Sequence, residues 1–401
     1  MTLVFMKYLV YILLVLALVS IMEEHLYHRS FDWIRELKQY HTPGRTKFMN
    51  IISTIGDGES YLAIAFIGFF LGADYTFIYL TGSFFMNQHW INFLKSLIRH
   101  SRPQFDDPSL GLENESTQCS GEFGNPSGHS LMVTMIIPTM LDVLRSNHRE
   151  WFRRHPCLFK LITLLAFIFI LLVCLCRLYL GRHSVDQILL GCFFGFGMAH
   201  FCKNIFKPYF YEPVFWPSLD EDPKVVAARS RKAAIYAWLV YLFIFVKIVL
   251  LYEYVERNAV IPQQWWDVII QTCPIWKKAH TFHNFTLVTS GYVSLMPAHF
   301  LMNYLKHRRW AKTNIPPIEK PCVAWKAYCI EVVAKVVAFA LAFFIVVKKA
   351  PIWIYGTSNI EPYPGFCKHF ITCMCMAFIG GPYTQMLRRN LESPARHSKS
   401  D

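Results

Sequence analysis

Apolar residues run along this chain in stretches long enough to cross a bilayer, separated by short charged segments. A spanning helix needs about 20 mostly apolar residues. The pattern predicts spans at Leu3–Met22, Tyr75–Leu94, Leu131–Leu144, Leu158–Cys176, Val185–Cys202, Ala233–Tyr252, Phe282–Leu301, Val332–Val347 with its preceding turns, and Phe366–Tyr383. Phe48–Ala73 is ambiguous: its apolar half, Tyr61–Ala73, is too short alone and crosses only if Ile51–Ile55 is included. That makes about ten spans, or nine if the first is removed as a signal peptide. Lys7 starts that stretch as a signal sequence would. Its apolar run is long, however, no small-x-small cleavage site follows, and Glu23 and Glu24 come at once, which favours a retained span. The fold class read from the pattern is an all-α polytopic membrane helical bundle.

Composition sharpens this. A soluble chain of 401 residues would form two or three domains. Here 54% of residues are hydrophobic and 17% charged, against about 25% charged in soluble proteins, and mean hydropathy is +0.29. Disorder, collagen and secreted disulfide scaffolds are excluded. The net charge of +13 comes from 40 Lys+Arg and 27 Asp+Glu. In a soluble protein it would suggest nucleic acid, but here no nucleic-acid partner is expected, because the basic residues collect in alternate loops as they do on a cytoplasmic face. Those loops hold Arg145, Arg149, Arg153 and Arg154; Lys203, Lys207, Lys224, Arg229, Arg231 and Lys232; Lys306, Arg308, Arg309, Lys312 and Lys320; and the tail with Arg388, Arg389, Arg396 and Lys399. Arg29, Arg35, Lys38, Arg45 and Lys47 break the rule.

The opposite face then carries the loops at 97–128, 177–184, 253–280 and 348–365. Asn114-Glu115-Ser116, a glycosylation sequon, falls in the first, which suits a lumenal or extracellular placement. A second sequon, at Asn284, is close to a span. The 12 cysteines form no framework; most lie inside spans, where cysteine acts as a small apolar residue. No paired C-x-x-C exists, so no metal site is expected. A disulfide among Cys119, Cys273 and Cys367 is open.

Ionisable residues at span ends are functional candidates by default. Three groups reach the same face: Lys95-x6-Arg102-Pro103, Pro126-Ser127-Gly128-His129, and Arg177-x5-His183. Clustered, Lys95, Arg102 and Arg177 would bind a dianion, and phosphate fits best, since Arg offers planar bidentate donors and Lys a point charge. Ser127 and Gly128 at a helix start offer backbone N–H groups and a positive dipole end. Of the two histidines, one can attack phosphorus and the other can protonate the leaving oxygen. Positioning and charge neutralisation by these cations suffice without metal or cofactor. Each basic pair alone is no more than the usual flank of a span. Pro-Ser-Gly-His, and the ordered set at matching span ends, are what raise the functional reading. His25, His28, His41, His89, His200, His280, His283, His299 and His307 have no such context and read as structural.

The three blocks resemble the signature of the type-2 phosphatidic acid phosphatase superfamily, K-x6-R-P, P-S-G-H and S-R-x5-H-x3-D, over about residues 48–205. The resemblance implies a six-span core with a phosphate site near one membrane face, here 48–208, preceded by an N-terminal span and lumenal segment, 1–47, and followed by an extension of about four spans, 209–401. It implies that His183 is the nucleophile, that His129 is the general acid, and that Lys95, Arg102, Arg177 and Ser127 hold the phosphate. Two positions depart from the signature. Cys176 replaces the Ser before Arg177, which would cost a phosphate contact. The Asp that orients the nucleophile is replaced by Gln187, with Asp186 one residue early. Either Asp186 reaches His183 through a distorted turn or Gln187 orients it without charge. Glutamine in this register, the Cys119…Gly124 layout and a sequon between the first two blocks are similar to glucose-6-phosphatase.

The leading expectation is therefore an endoplasmic-reticulum membrane phosphatase with a lumen-facing site. Its substrate would be a sugar phosphate such as glucose-6-phosphate, its route a phosphohistidine intermediate, and its surroundings membrane lipids. A lipid phosphate or sphingosine-phosphate phosphatase is the alternative, and a transporter or non-catalytic binding protein the second. Asp106, Asp107, Glu113, Glu115 and Glu122 make the site loop acidic; they read as solvating the loop, or else as partners for sugar hydroxyls.

Overall fold

The structure is a computed structural model. It describes residues 23–58, 60–61, 74–111, 121–215, 217–218, 220–272, 290–291, 293–314, 325–344 and 362–379, with isolated positions at 10, 17, 64 and 67. The described residues form helices and no strand. In chain order these are α1 (residues 23–38), then α2 (Pro43–Ile55), α3 (Asp74–Ile98), α4 (Pro103–Asp106), α5 (Gly128–Asn147), α6 (Arg149–Arg154), α7 (Pro156–Tyr179) and α8 (Val185–Phe201). They are followed by α9 (Pro223–Asn258), α10 (Gln263–Thr272), α11 (Leu295–Thr313), α12 (Trp325–Phe344) and α13 (Pro362–Phe378). A π-helical stretch, Cys202–Tyr211, carries α8 on to Phe215.

Among the described residues, three helices are long and apolar enough to cross a membrane: Pro156–Tyr179, Val185–Phe215 and Pro223–Asn258. Their outer faces are apolar and exposed, as in Leu161, Leu164, Ile168, Leu171 and Leu175 of α7 and Leu239, Leu242, Phe243 and Leu250 of α9. Water would not tolerate such stripes, whereas lipid does. Helices also occupy the predicted places at α3, α5, α12 and α13.

One predicted span is revised. Phe48–Ala73 is not one helix: α2 ends at Gly56, whose N–H bonds back to Ile52 O, and Asp57 breaks the run. Ile51 and Ile55 thus belong to a short helix packed on α7. Residues 282–289 of the span placed at Phe282–Leu301 lie outside the described residues; 290, 291 and 293 are helical, and a helix runs Leu295–Thr313 past the expected end. Lys306, Arg308 and Arg309 therefore lie on a helix and not in a loop. That charged half is packed through Asn303, which donates to Val214 O at 2.6 Å, and His307, whose Nδ1 is 2.7 Å from Ser230 Oγ. Asn114, Asn284, Cys119, Cys273, Glu113 and Glu115 lie outside the described residues, as do most of Leu3–Met22 and of the loop 348–365. Cys367 is a free thiol.

The chain divides into two compact units. One comprises residues 1–61, 90–200 and 254–283; the other comprises 62–89, 201–253 and 284–401. In the second, α11 packs on α13 and α13 on α12. The ring of Phe370 stacks 6.2 Å from Tyr241, and a buried ion pair joins Lys335 to Glu331 at 3.0 Å along α12.

The first unit holds all three motif blocks. Its helix α1 buries Tyr27, Ser30 and Ile34, one face at helical spacing. This face lies over the loop between α3 and α5. Arg35 pairs with Asp107 at 2.8 Å, and Lys38 donates to Ser109 O and, at 2.6 Å, to Gly111 O. Two of the basic residues that break the charge rule thus have a local use, neutralising and tying down that loop. Helix α10, in the predicted loop 253–280, meets the same loop: Gln264 Nε2 donates to Phe105 O at 3.1 Å and Trp265 Nε1 to Asp106 Oδ1 at 3.2 Å. Two predicted same-face loops, 97–128 and 253–280, therefore meet each other, and the first also meets α1.

Candidate active site

Each motif residue stands where a helix starts or stops. Lys95 is in the last turn of α3, which ends at Arg99 in the left-handed conformation (φ 56°). Pro103 starts α4 and leaves Arg102 as its extended N-cap. Ser127 is the N-cap of α5, so Gly128 and His129 fill the first helical positions, where backbone N–H groups have no intrahelical acceptor. Gly128 is close to Lys95: a Cβ there would lie 3.7 Å from Nζ. Arg177 closes α7, and Gln187 sits in the first turn of α8.

The turn between α7 and α8 needs Gly181. Its φ is +64°, and a Cβ would run into Leu110 O. Arg182 N and His183 N both turn back to Arg177 O, at 3.0 and 3.4 Å, which brings His183 inward. Gly191 allows α8 to approach the start of α5, since a Cβ would lie 2.7 Å from Ser127 O. Ser127 N donates to Gln187 O at 2.9 Å, joining the second and third blocks directly.

Lys95, Arg102, Arg177, Arg182, Ser127 and His183 are all buried. Arg102 Nη1 is 3.2 Å from His183 Nε2, and its Nε donates to Glu122 O at 2.9 Å. Arg177 Nη1 donates to Ser53 Oγ at 2.6 Å, and Arg182 Nη1 to Gln104 Oε1 at 3.3 Å. His129 has Arg177, Lys95, Arg102 and Arg182 as electrostatic neighbours, and its Nε2 lies 4.0 Å from Asp57 Oδ1.

The protonation pattern of His183 follows from its neighbours. Gln187 Nε2 donates to Ser101 O at 2.6 Å, so Gln187 Oε1 faces His183 Nδ1 at 3.0 Å as an acceptor. Nδ1 must then carry the proton, and the lone pair is at Nε2, where Arg102 donates to it. Burial, then Arg102, Arg177 and Lys95, push the His183 imidazole well below the usual histidine value, with Gln187 acting weakly the other way. A neutral imidazole with an inward lone pair among fixed cations suits attack on an anionic electrophile.

Of Asp186 and Gln187, one is in contact with His183. Gln187, four residues on, faces back to His183. Asp186 is rotated by about 100° on the helix; it is buried beside Ser184 and neither of its oxygens closes a hydrogen bond. Cys176 Sγ is 2.9 Å from Met49 O and close to Ser53, and the residue packs with Tyr179, Leu180, Leu37, Met49 and Ile52. The Ser-to-Cys departure therefore falls at a position that packs between the α7 end and α2.

Four participants escaped the sequence reading. Ser53 is 124 residues from Arg177 and carries no local signal. Arg182 lies inside the third block as an unassigned position, and Gln104 follows the first block. Glu122 was read as loop solvation. It instead meets Lys95 Nζ at 2.7 Å and Arg102 Nη2 at 3.5 Å. Burial raises its carboxyl, but Lys95, Arg102 and Arg177 outweigh this and hold it below the usual value.

No curated protein matches the chain. Among solved structures, it is similar to the crystal structure of the first transmembrane PAP2 type phosphatidylglycerolphosphate phosphatase from Bacillus subtilis, with 21% identity and a TM-score of 0.40, covering 49% of this chain and 94% of that one. The family model of the PAP2 superfamily matches residues 71–210, the part of the chain that holds all three motif blocks.

Proposed function

We propose that this protein is an integral-membrane phosphatase that hydrolyses a phosphomonoester without a metal, its site facing the lumen of the endoplasmic reticulum. The observation that carries the reading is the line Gln187–His183–Arg102, which presents a neutral Nε2 lone pair inside a ring of buried cations. Lys95, Arg102, Arg177 and the α5 N-terminus at Ser127 and Gly128 hold the phosphate oxygens. His183 Nε2 forms a bond to phosphorus as the bond to the ester oxygen breaks, and His129 gives that oxygen a proton. Water then attacks the phosphohistidine, losing a proton to His129, and the P–N bond breaks to release phosphate. Gln187 keeps the proton on Nδ1 throughout the approach.

The substrate favoured is a sugar phosphate such as glucose-6-phosphate. What supports it is Gln187 on the nucleophile, the register similar to glucose-6-phosphatase. The test is phosphate release by the detergent-purified protein with EDTA present, comparing glucose-6-phosphate, phosphatidate and sphingosine-1-phosphate, and wild type with His183→Ala. Release from the sugar phosphate, lost in the variant, is expected. Release from a lipid alone would keep the chemistry and overturn the substrate. No release from a folded sample would favour a non-catalytic binding protein.

A further inference from the structure

The phosphate subsite of the resting protein already holds an anion, and that anion belongs to the chain. Glu122 places a carboxylate oxygen 2.7 Å from Lys95 Nζ and 3.5 Å from Arg102 Nη2. These are two of the cations that the mechanism above assigns to phosphate. A phosphoryl dianion and this carboxylate cannot share the same two donors, because like charges at such spacing repel strongly in a buried setting. We infer that Glu122 is an internal competitor for the phosphate subsite, displaced when a phosphomonoester binds and returning as inorganic phosphate leaves. The inference rests on the phosphatase reading of this cluster.

The geometry gives the bound position of the carboxylate and its exposure. The Glu122 side chain is 28% exposed while Lys95 is 6% and Arg102 1%, so Glu122 is the most open of the three. Displacement requires that the side chain turn outward about its own rotamers while the cations stay in place. Its main chain stays tethered meanwhile, because Arg102 Nε donates to Glu122 O, 2.9 Å away, and this bond does not involve the carboxylate. The ionised state of Glu122, held by Lys95, Arg102 and Arg177 against burial, means the resting cluster is partly neutralised instead of presenting bare buried cations.

The consequence is a trade in affinity. Every ligand of the subsite must first break the Lys95–Glu122 pair, so binding of substrate and product is weaker than the cations alone would give. Product release gains, since the returning carboxylate replaces phosphate on Lys95 and Arg102. Had Glu122 been only a structural anchor for those cations, its loss would loosen them and weaken phosphate binding. The two roles predict opposite signs.

The experiment is titration of the full-length, detergent-purified protein with inorganic phosphate and with orthovanadate, followed by calorimetry, for wild type, Glu122→Gln and Lys95→Met. Glu122→Gln keeps the shape and removes the charge. It is expected to bind both anions at least about tenfold more tightly (about 1.4 kcal/mol), and to show correspondingly stronger inhibition by phosphate during turnover. Lys95→Met should bind neither. Equal or weaker binding by Glu122→Gln overturns the inference and leaves Glu122 as an anchor. No anion binding by any folded sample, wild type included, overturns the phosphatase reading itself. Should Glu122→Gln not fold, Glu122→Ala carries the same test with the same sign.

Discussion

Replacing Gln187 by methionine removes the group that sets the proton on His183 while leaving the volume of a fully buried side chain nearly unchanged. Two short hydrogen bonds go, Nε2 to Ser101 O at 2.6 Å and the one that Oε1 accepts from His183 Nδ1 at 3.0 Å, along with a longer contact of Nε2 with His100 Nδ1 at 3.4 Å. Each of the two short bonds leaves a buried polar group unsatisfied, at about 1–3 kcal/mol apiece, so the fold should lose about 2–6 kcal/mol. The effect on chemistry is separate. With no acceptor for Nδ1–H, the imidazole is free to carry its proton at Nε2, the form that cannot attack, and the ring is free to turn. A loss of roughly 100-fold in kcat is expected, about 2.7 kcal/mol of barrier. KM should change by less than about threefold, because Lys95, Arg102 and Arg177 are untouched. Steady-state kinetics on glucose-6-phosphate or p-nitrophenyl phosphate measure the split, and rapid-quench detection of acid-labile phosphoprotein reports the first half-reaction. A cooperatively melting Gln187→Met protein with kcat within twofold of wild type would refute the reasoning. A raised KM at unchanged kcat would move Gln187 from positioning the nucleophile to binding substrate.

Other outcomes follow from the same geometry. His183 is held below the usual histidine value in the folded state by burial and by Arg102, Arg177 and Lys95, so below about pH 6.5 the unfolded chain binds a proton that the folded chain refuses. Stability should therefore fall as pH drops below that value, by at most about 1.4 kcal/mol per pH unit for this group; the melting-midpoint difference between wild type and His183→Asn, followed from pH 7.5 to 5, should change in that direction and stay flat above. Gly181→Ala puts a Cβ against Leu110 O at φ +64° and should cost at least about 1–2 kcal/mol together with most activity, since the same turn carries His183; unchanged melting and turnover would contradict the turn's role. Cys176→Ser should leave kcat/KM within about twofold, because the side chain faces Met49 O; a several-fold gain would mean that the position touches phosphate after all.

The three motif blocks were visible in the chain because their chemistry is concentrated at span ends. Lys95, Arg102, His129, Arg177 and His183 are ionisable residues where apolar runs stop, and such residues are conspicuous in any membrane sequence. Their meeting was an expectation that the turn at Gly181, the hydrogen bond from Ser127 N to Gln187 O and the contact of Arg102 with His183 realise in space. Glu122 was misjudged for a related reason. In a loop that also contains Asp106, Asp107, Glu113 and Glu115, one more carboxylate looks like a solvated charge, and only the fold brings it to 2.7 Å from Lys95.

Hydropathy is a sum over neighbouring residues, and the length of a bilayer-crossing helix is set by the membrane, so the all-α, multi-span character and the strong helices at Pro156–Tyr179 and Pro223–Asn258 could be read without coordinates. The breaks could not be read so well. Whether Phe48–Ala73 continues or stops depends on the cap at Gly56, and where the helix after residue 290 ends depends on what His307 and Asn303 pack against. The same holds for the partners of the site. Ser53 reaches Arg177, Tyr27 reaches Ser101 and Trp265 reaches Asp106 across long stretches of chain. The choice of Gln187 over Asp186 turns on a rotation of about 100° in one helical turn. A hydrogen bond acts over about 3 Å and depends on orientation, so its partner is chosen by the packing of distant segments and leaves no mark in either segment alone.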